Sequence, residues 1–241
     1  MYFSISVPAL LIALALSLTA HASNQPFIRL RKNDTAFLII DHQVGLFYLA
    51  RDFAPDQFRN NILAHAALPK VFNLPTILTT SAETGPNGPL PREIAEMHQG
   101  APLIKRNGEV NAWDNPDFRA AVKATGKKQI VLAGITTDVC TAFLALSLRA
   151  EGYEVFANLD ASGTLDRRLA DEANDRMRAA GVTTMGMFAI AADLMRDWRN
   201  TPGTSELLPF FDKYLSAYAF LARAHGAAVT NGTLLPGEST S

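Results

Sequence analysis

The sequence predicts an α/β fold, an open six-stranded parallel sheet with helices on both faces, three layers in all. Three observations carry this reading. From Thr35 onward, short apolar runs alternate with stretches of helical periodicity, the βαβ pattern of a parallel sheet. The central runs are apolar at nearly every position, as strands covered on both faces must be. Gly152 and Gly181 each stop a helical stretch just before the next apolar run.

The elements follow in order. Thr35 to Asp41 reads as the first strand, followed by a helix from about Pro55 to Lys70. Pro75 to Thr80 is the second strand, and Thr84-Gly-Pro-Asn-Gly-Pro89 after it is rich in turn residues. Ala101 to Arg106 gives a shorter third strand. Pro116 to Ala124 is a helix, with Asn115 placed to accept from its first-turn amides and proline suited to the first position. Gln129 to Ala133 is the fourth strand, and Val139 to Glu151 its helix. Tyr153 to Leu159, a helix from Asp166 to Ala180, Val182 to Met187 and a helix from Ala189 to Trp198 complete the alternation. A last helical stretch, Leu207 to Ala224, carries Phe210, Phe211, Tyr214, Tyr218 and Phe220, aromatic surface for packing on its own domain or between subunits. The tail Gly226 to Ser241 has a composition that favours poor order.

The start of the chain reads differently. An apolar run ends in Ala20-His21-Ala22, the small-x-small pattern of a secretory cleavage site, so residues 1–22 are expected to be a signal peptide. The segment before the run holds no Lys or Arg, which leaves an uncleaved anchor as the competitor. Its apolar run falls short of the roughly 20 residues that span a bilayer. Residues 23–225 form one domain in this reading, in a periplasmic or secreted protein.

A net charge of −1 offers no field for a polyanion, so nucleic acid is not an expected partner; a small molecule is. Cys140 is the only cysteine and cannot form an intramolecular disulfide. A buried cysteine serving as a small hydrophobe is the ordinary case. Its place, just after the turn Gly134-Ile-Thr-Thr137 and at the head of a helix, makes it a candidate nucleophile instead, because free N–H groups and the helix dipole favour a thiolate. That turn also places backbone N–H groups where they can face a tetrahedral oxyanion.

Ligands of open parallel sheets bind beyond the carboxyl ends of the strands, where the strand order reverses. Asp41 closes strand one, Lys105 and Arg106 close strand three, and Cys140 follows strand four. With the order 3-2-1-4-5-6, Asp41 and Cys140 face one another across the reversal. The carboxylate can take the thiol proton, and Lys105 or Arg106 can hold the two negative groups together. Each residue also has an ordinary reading: Asp41 as a helix cap, Arg106 as a surface charge.

Several motifs occur in order over roughly residues 34–200: Leu38-Ile-Ile-Asp41-His-Gln-Val-Gly-Leu46, Pro75-Thr-Ile-Leu-Thr-Thr-Ser-Ala-Glu-Thr-Gly-Pro-Asn-Gly88, Asn111-Ala-Trp-Asp114, Gly134-Ile-Thr-Thr-Asp-Val-Cys140, Asp160-Ala-Ser-Gly163 and Arg196-Asp-Trp198. On these the chain resembles the isochorismatase-like cysteine hydrolase superfamily, in particular its YcaC-type branch. The resemblance implies a catalytic triad of Asp41, Arg106 and Cys140, a cis peptide between Ile135 and Thr136, and oxyanion donation from the Thr136 and Cys140 amides. Most relatives carry lysine as the cation and this branch arginine; the spacing to Asn111-Ala-Trp113 and the alternation of strand faces favour Arg106 over Lys105.

The resemblance further implies hydrolysis of a small amide through a thioester, with vinyl-ether cleavage as the alternative inside the fold and a non-catalytic thiol or ligand-binding module outside it. Nicotinamidases of the superfamily hold a metal with an Asp-x-His and a further His. Ser81-Ala-Glu83-Thr-Gly85 has no such set, and the histidines at 42, 65, 98 and 225 lack ligand spacing, so neither metal nor cofactor is expected. His42 is read as structural, Trp113 as a pocket wall, Phe47 as pocket wall or core, and Glu83 as a possible rim residue. Kinship with ring-forming relatives implies a homo-oligomer.

Overall fold

The structure, a computed structural model, describes residues 27–239. Six parallel strands form one sheet: β1 (Thr35–Ile40), β2 (Thr76–Ser81), β3 (Leu103–Arg106), β4 (Gln129–Gly134), β5 (Glu154–Asn158) and β6 (Thr183–Met185), in the order β3-β2-β1-β4-β5-β6. The order reverses between β1 and β4, paired from Thr35↔Gln129 to Ile40↔Gly134.

Alternation along the strands divides the core into two layers. Phe37, Ile39, Val131, Ala133 and Phe156 point to one face, where α1 (Pro55–Val71), α6 (Met187–Met195) and α7 (Thr204–Tyr214) cover them. Ala36, Leu38, Ile40, Ile130, Leu132 and Val155 point to the other, under α3 (Pro116–Ala124), α4 (Ala142–Ala150) and α5 (Arg167–Ala179). The short α2 (Arg92–Met97) sits before β3. Both β1 and β4 are buried at every position, the physical counterpart of their unbroken apolar sequence.

Asn115 caps α3 as expected, its Oδ1 accepting from the Phe118 amide at 3.0 Å. Elsewhere the boundaries move. The residues after β4 first make one wide π turn, Thr137–Thr141, and the α-helix begins only at Ala142. Strand β6 is shorter than expected, and α6 starts at Met187 in place of Ala189. The stretch expected as one helix from Leu207 to Ala224 divides at Leu215, whose ψ of 56° leaves the helical region. This bend buries Phe211 and Tyr214 while letting Tyr218 stack on Trp198, with centroids 5.1 Å apart and planes at 5°.

The following helix, α8 (Ser216–Asn231), runs through Gly226 into the segment expected to be tail. A helical glycine costs about 1 kcal/mol relative to alanine, and the alanines at 222, 224, 227 and 228 offset it. Gly232, with φ 66°, ends the helix in the left-handed conformation glycine tolerates. The expected signal peptide lies outside the described residues. Among the described residues no helix is long and apolar enough to cross a membrane.

Candidate active site

Asp41 is the first residue past β1 and sits at φ 51°, a region aspartate tolerates better than most residues. Its amide donates to the Thr79 carbonyl at 3.0 Å, tying the turn to β2. Gly134 pairs with Ile40 on the neighbouring strand, and a Cβ there would lie 2.6 Å from the Ile40 carbonyl oxygen. Only glycine allows β1 and β4 to remain this close up to the point where their chains diverge.

Arg106 is the last residue of β3, and its side chain reaches beneath β2 to β1. Nε donates to Thr79 Oγ1 at 2.9 Å, Nη1 to the carbonyls of Glu109 and Val110, and Nη2 to both Asp41 oxygens. Both charged side chains are fully buried. Lys105 turns the other way, as strand alternation requires, and pairs at 2.8 Å with Glu83, whose other oxygen accepts from Thr80 Oγ1. Glu83 is therefore a partner for Lys105 and does not line the cleft described below.

Cys140 lies in the π turn, where the Thr141 amide reaches back to the Thr136 carbonyl at 3.0 Å. The peptide between Ile135 and Thr136 is cis. The thiol opens onto the same cleft as the Asp41 carboxylate and the Thr136 backbone. Burial, and after it the charge and hydrogen bond of Asp41, push the thiol up to about 12. Burial also pushes the Asp41 carboxyl above its ordinary range, against the opposing pull of Arg106 and the Cys140 thiol.

The thiolate expected at the helix end is opposed here by burial and by the charge of Asp41. Burial and the Asp41 charge thus favour the thiol over the thiolate, beside a carboxylate that can take its proton.

These groups open onto a cleft of about 340 Å³. Ser81, Asn87 and Leu46 form one side of it. Gln43 clamps that side, accepting from the Ser81 amide at 2.8 Å and donating to the carbonyls of Ser81 and Gly88. Gly45 belongs to the same clamp: its amide donates to Asn87 O at 2.9 Å, and a Cβ would fall 1.9 Å from Pro86 O. Thr164 and Leu165 also line the cleft, and the Thr164 carbonyl accepts from the Arg51 amide at 2.8 Å. Gln43 and Asn87 lie within the motifs quoted above, but their clamping role has no signature in spacing.

Trp113 is not a wall of this cleft. The short turn Ala112–Asp114 sends its indole into the layer under α3 and α4, beside Phe118 and Tyr153 with centroids 6.5 and 6.0 Å away, and Val110 reaches the cleft instead. Phe47 packs on Phe58 at 5.5 Å, away from the cleft. His42 points to the opposite side from Asp41, its Nε2 2.8 Å from the Ala161 carbonyl. Among the described residues no group of three or more His, Cys, Asp or Glu side chains is disposed to hold a metal ion.

Comparison with known proteins places this geometry. The model of the isochorismatase domain matches residues 35–187. The chain belongs to the isochorismatase family. It is 55% identical over 176 residues to the probable hydrolase YcaC of Escherichia coli (strain K12), covering 73% of this chain and 85% of that protein. Two solved structures of this type superpose closely. YcaC from Pseudomonas aeruginosa, with hexane-2,5-diol and covalent acrylamide, is 52% identical with a TM-score of 0.80, over 83% of this chain and 98% of that one. The Escherichia coli YcaC gene product, an octameric hydrolase of unknown specificity, is 51% identical with a TM-score of 0.81, over 84% and 98%. Within the family the chain stands in the YcaC branch, and it is a hydrolase.

Proposed function

We propose that this hydrolase cleaves the C–N bond of a small amide through a thioester on Cys140. The observation that carries the reading is the Cys140 thiol and the Asp41 carboxylate on one open cleft, with Arg106 paired to Asp41 behind it. As the sulfur attacks the substrate carbonyl, the thiol proton passes to Asp41, whose carboxyl is a stronger base than usual because it is buried. Arg106 keeps that carboxylate oriented and offsets the negative charge gathered at the sulfur. The amides of Thr136 and Cys140 receive the oxyanion. Collapse of the tetrahedral intermediate expels ammonia or an amine, which takes the proton from Asp41. Asp41 then accepts a proton from water as it attacks the thioester, and returns that proton to the sulfur as the acid leaves.

The covalent acrylamide in the Pseudomonas aeruginosa relative supports a nucleophile open to small amides in this branch. The octameric Escherichia coli relative supports a homo-oligomer here, and the leader pattern at residues 1–22 supports export to the periplasm or beyond. A redox sensor works best with a resting thiolate, which burial and Asp41 oppose here. The test is ammonia release from a panel of small primary amides, wild type against Cys140→Ser, with intact mass to trap the acyl-enzyme. The expected result is a loss of at least about 10³-fold and no adduct in the variant. Undiminished turnover by Cys140→Ser would reject the thioester route.

A further inference from the structure

Beyond the three groups assigned chemistry, the cleft carries one more charged side chain. Asp138 precedes Cys140 by two residues in the same π turn and lines the cleft. Thr164, itself fully buried, fixes its direction: the Thr164 hydroxyl donates to Asp138 Oδ1 at 2.7 Å, while the Thr164 amide donates to Asp52 at 2.8 Å. Oδ2 of Asp138 accepts from no side chain or amide among the described residues.

The charge balance of the cleft is one-sided. Asp41 faces the Arg106 guanidinium, whose remaining donors are taken by Thr79, Glu109 and Val110. Among the described residues that line the cleft none is Lys, Arg or His, so Asp138 has no cation opposite it. Leu46, Leu49, Val110, Ile135, Val139 and Leu165 make up the apolar part of the wall. A ligand carboxylate entering here loses hydration, meets no free counter-charge and approaches a fixed negative one. An uncharged amide of short aliphatic chain loses little, and its N–H finds an acceptor.

We propose that Asp138 determines specificity, admitting uncharged amides whose N–H donates to its carboxylate and repelling substrates that carry a carboxylate of their own. The inference rests on the thioester reading and narrows its substrate class. It also places carboxylated vinyl ethers among the rejected ligands.

The test reads charge preference at the sulfur without requiring turnover. Iodoacetamide and iodoacetate deliver the same carbon to Cys140: an S–C bond forms, the C–I bond breaks, iodide leaves, and the thiol proton goes to Asp41 or solvent. They differ in charge. The ratio of their alkylation rates at Cys140, divided by the same ratio for free cysteine, is expected to exceed one by about tenfold or more in the wild type. Asp138→Asn keeps the acceptor for Thr164 and is expected to bring the ratio down by about tenfold; Asp138→Glu, which keeps the charge, is expected to retain it. In the wild type alone, added salt is expected to lower the ratio by screening, a measurement independent of any variant. A wild-type ratio equal to that of free cysteine, or one unchanged in Asp138→Asn, would overturn the role of Asp138 while leaving the thioester reading standing. Failure of both reagents to label Cys140 would overturn the nucleophile, and this inference with it.

Discussion

Two buried polar clusters stand side by side at the carboxyl edge of this sheet, and adjacent residues begin them. Asp41 belongs to one, with Arg106 and Cys140; His42 belongs to the other, with His65 and Asn158. Desolvation dominates both and acts with opposite sign on acids and bases. It pushes the Asp41 carboxyl and the Cys140 thiol up, and holds His42 and His65 down at about 4 and 3. The first cluster keeps a charge pair and opens to a cleft. The second stays neutral and closed, the Nε2 atoms of its imidazoles bonded to the carbonyls of Ala161 and Leu38 and His42 Nδ1 left without a partner among the described residues. Burial perturbs a pKa wherever it occurs; what separates a candidate site from a structural cluster is a retained counter-charge together with access for a ligand.

The sharpest way to break this contrast is to remove the counter-charge. Arg106→Ala leaves Asp41 buried without a partner and is expected to cost about 3–5 kcal/mol of stability, and activity by orders of magnitude. Urea unfolding with a parallel ammonia-release assay checks both. An active Arg106→Ala of wild-type stability would mean that the ion pair is dispensable.

Acidification probes the neutral cluster. The unfolded chain takes up protons at its histidines near pH 6.5, whereas the folded protein resists until about 4 and 3, so stability falls as pH drops through that window. At pH 5 the two residues together are expected to contribute a loss of about 4 kcal/mol relative to neutral pH. Denaturant curves at pH 7 and pH 5 measure it, and His65→Leu is expected to remove about half of the pH-dependent part. An identical pH dependence in that variant would show that His65 is not the group resisting protonation.

The smallest effect is expected one residue from the largest. Lys105 pairs with Glu83 through a side chain that is 63% exposed, so Lys105→Ala is expected to change stability by less than about 0.5 kcal/mol and to leave turnover intact. A loss comparable to that of Arg106→Ala would show that the inward and outward faces of β3 are not functionally distinct.

Much of this site was legible before any coordinates. Asp41, Arg106 and Cys140 stand at strand ends or just beyond one, and open parallel sheets gather such positions on one edge. The choice of Arg106 over Lys105 rested on the spacing to Asn111-Ala-Trp113 that the family resemblance supplied, with strand alternation letting only one of the two point inward. Trp113 escaped the same logic because it lies in a short turn, not a strand, and nothing in its spacing says which way the indole goes. Asp138 and Thr164, distant in sequence, acquire meaning only when loops following different strands meet. The helix break at Leu215 carries no Gly or Pro signal and follows from where Tyr218 finds Trp198.

By itself the sequence determined the layered α/β architecture, the strand content and the residues gathered at the carboxyl edge of the sheet, because apolar periodicity and turn chemistry are local and repeat along the chain. The tertiary structure decided how strongly burial and Asp41 oppose ionisation of the thiol, the closure of the histidine cluster and the absence of a cation from the cleft lining. Each of these depends on how much solvent and which counter-charges surround a group, and segments far apart in the chain supply those surroundings only once packed.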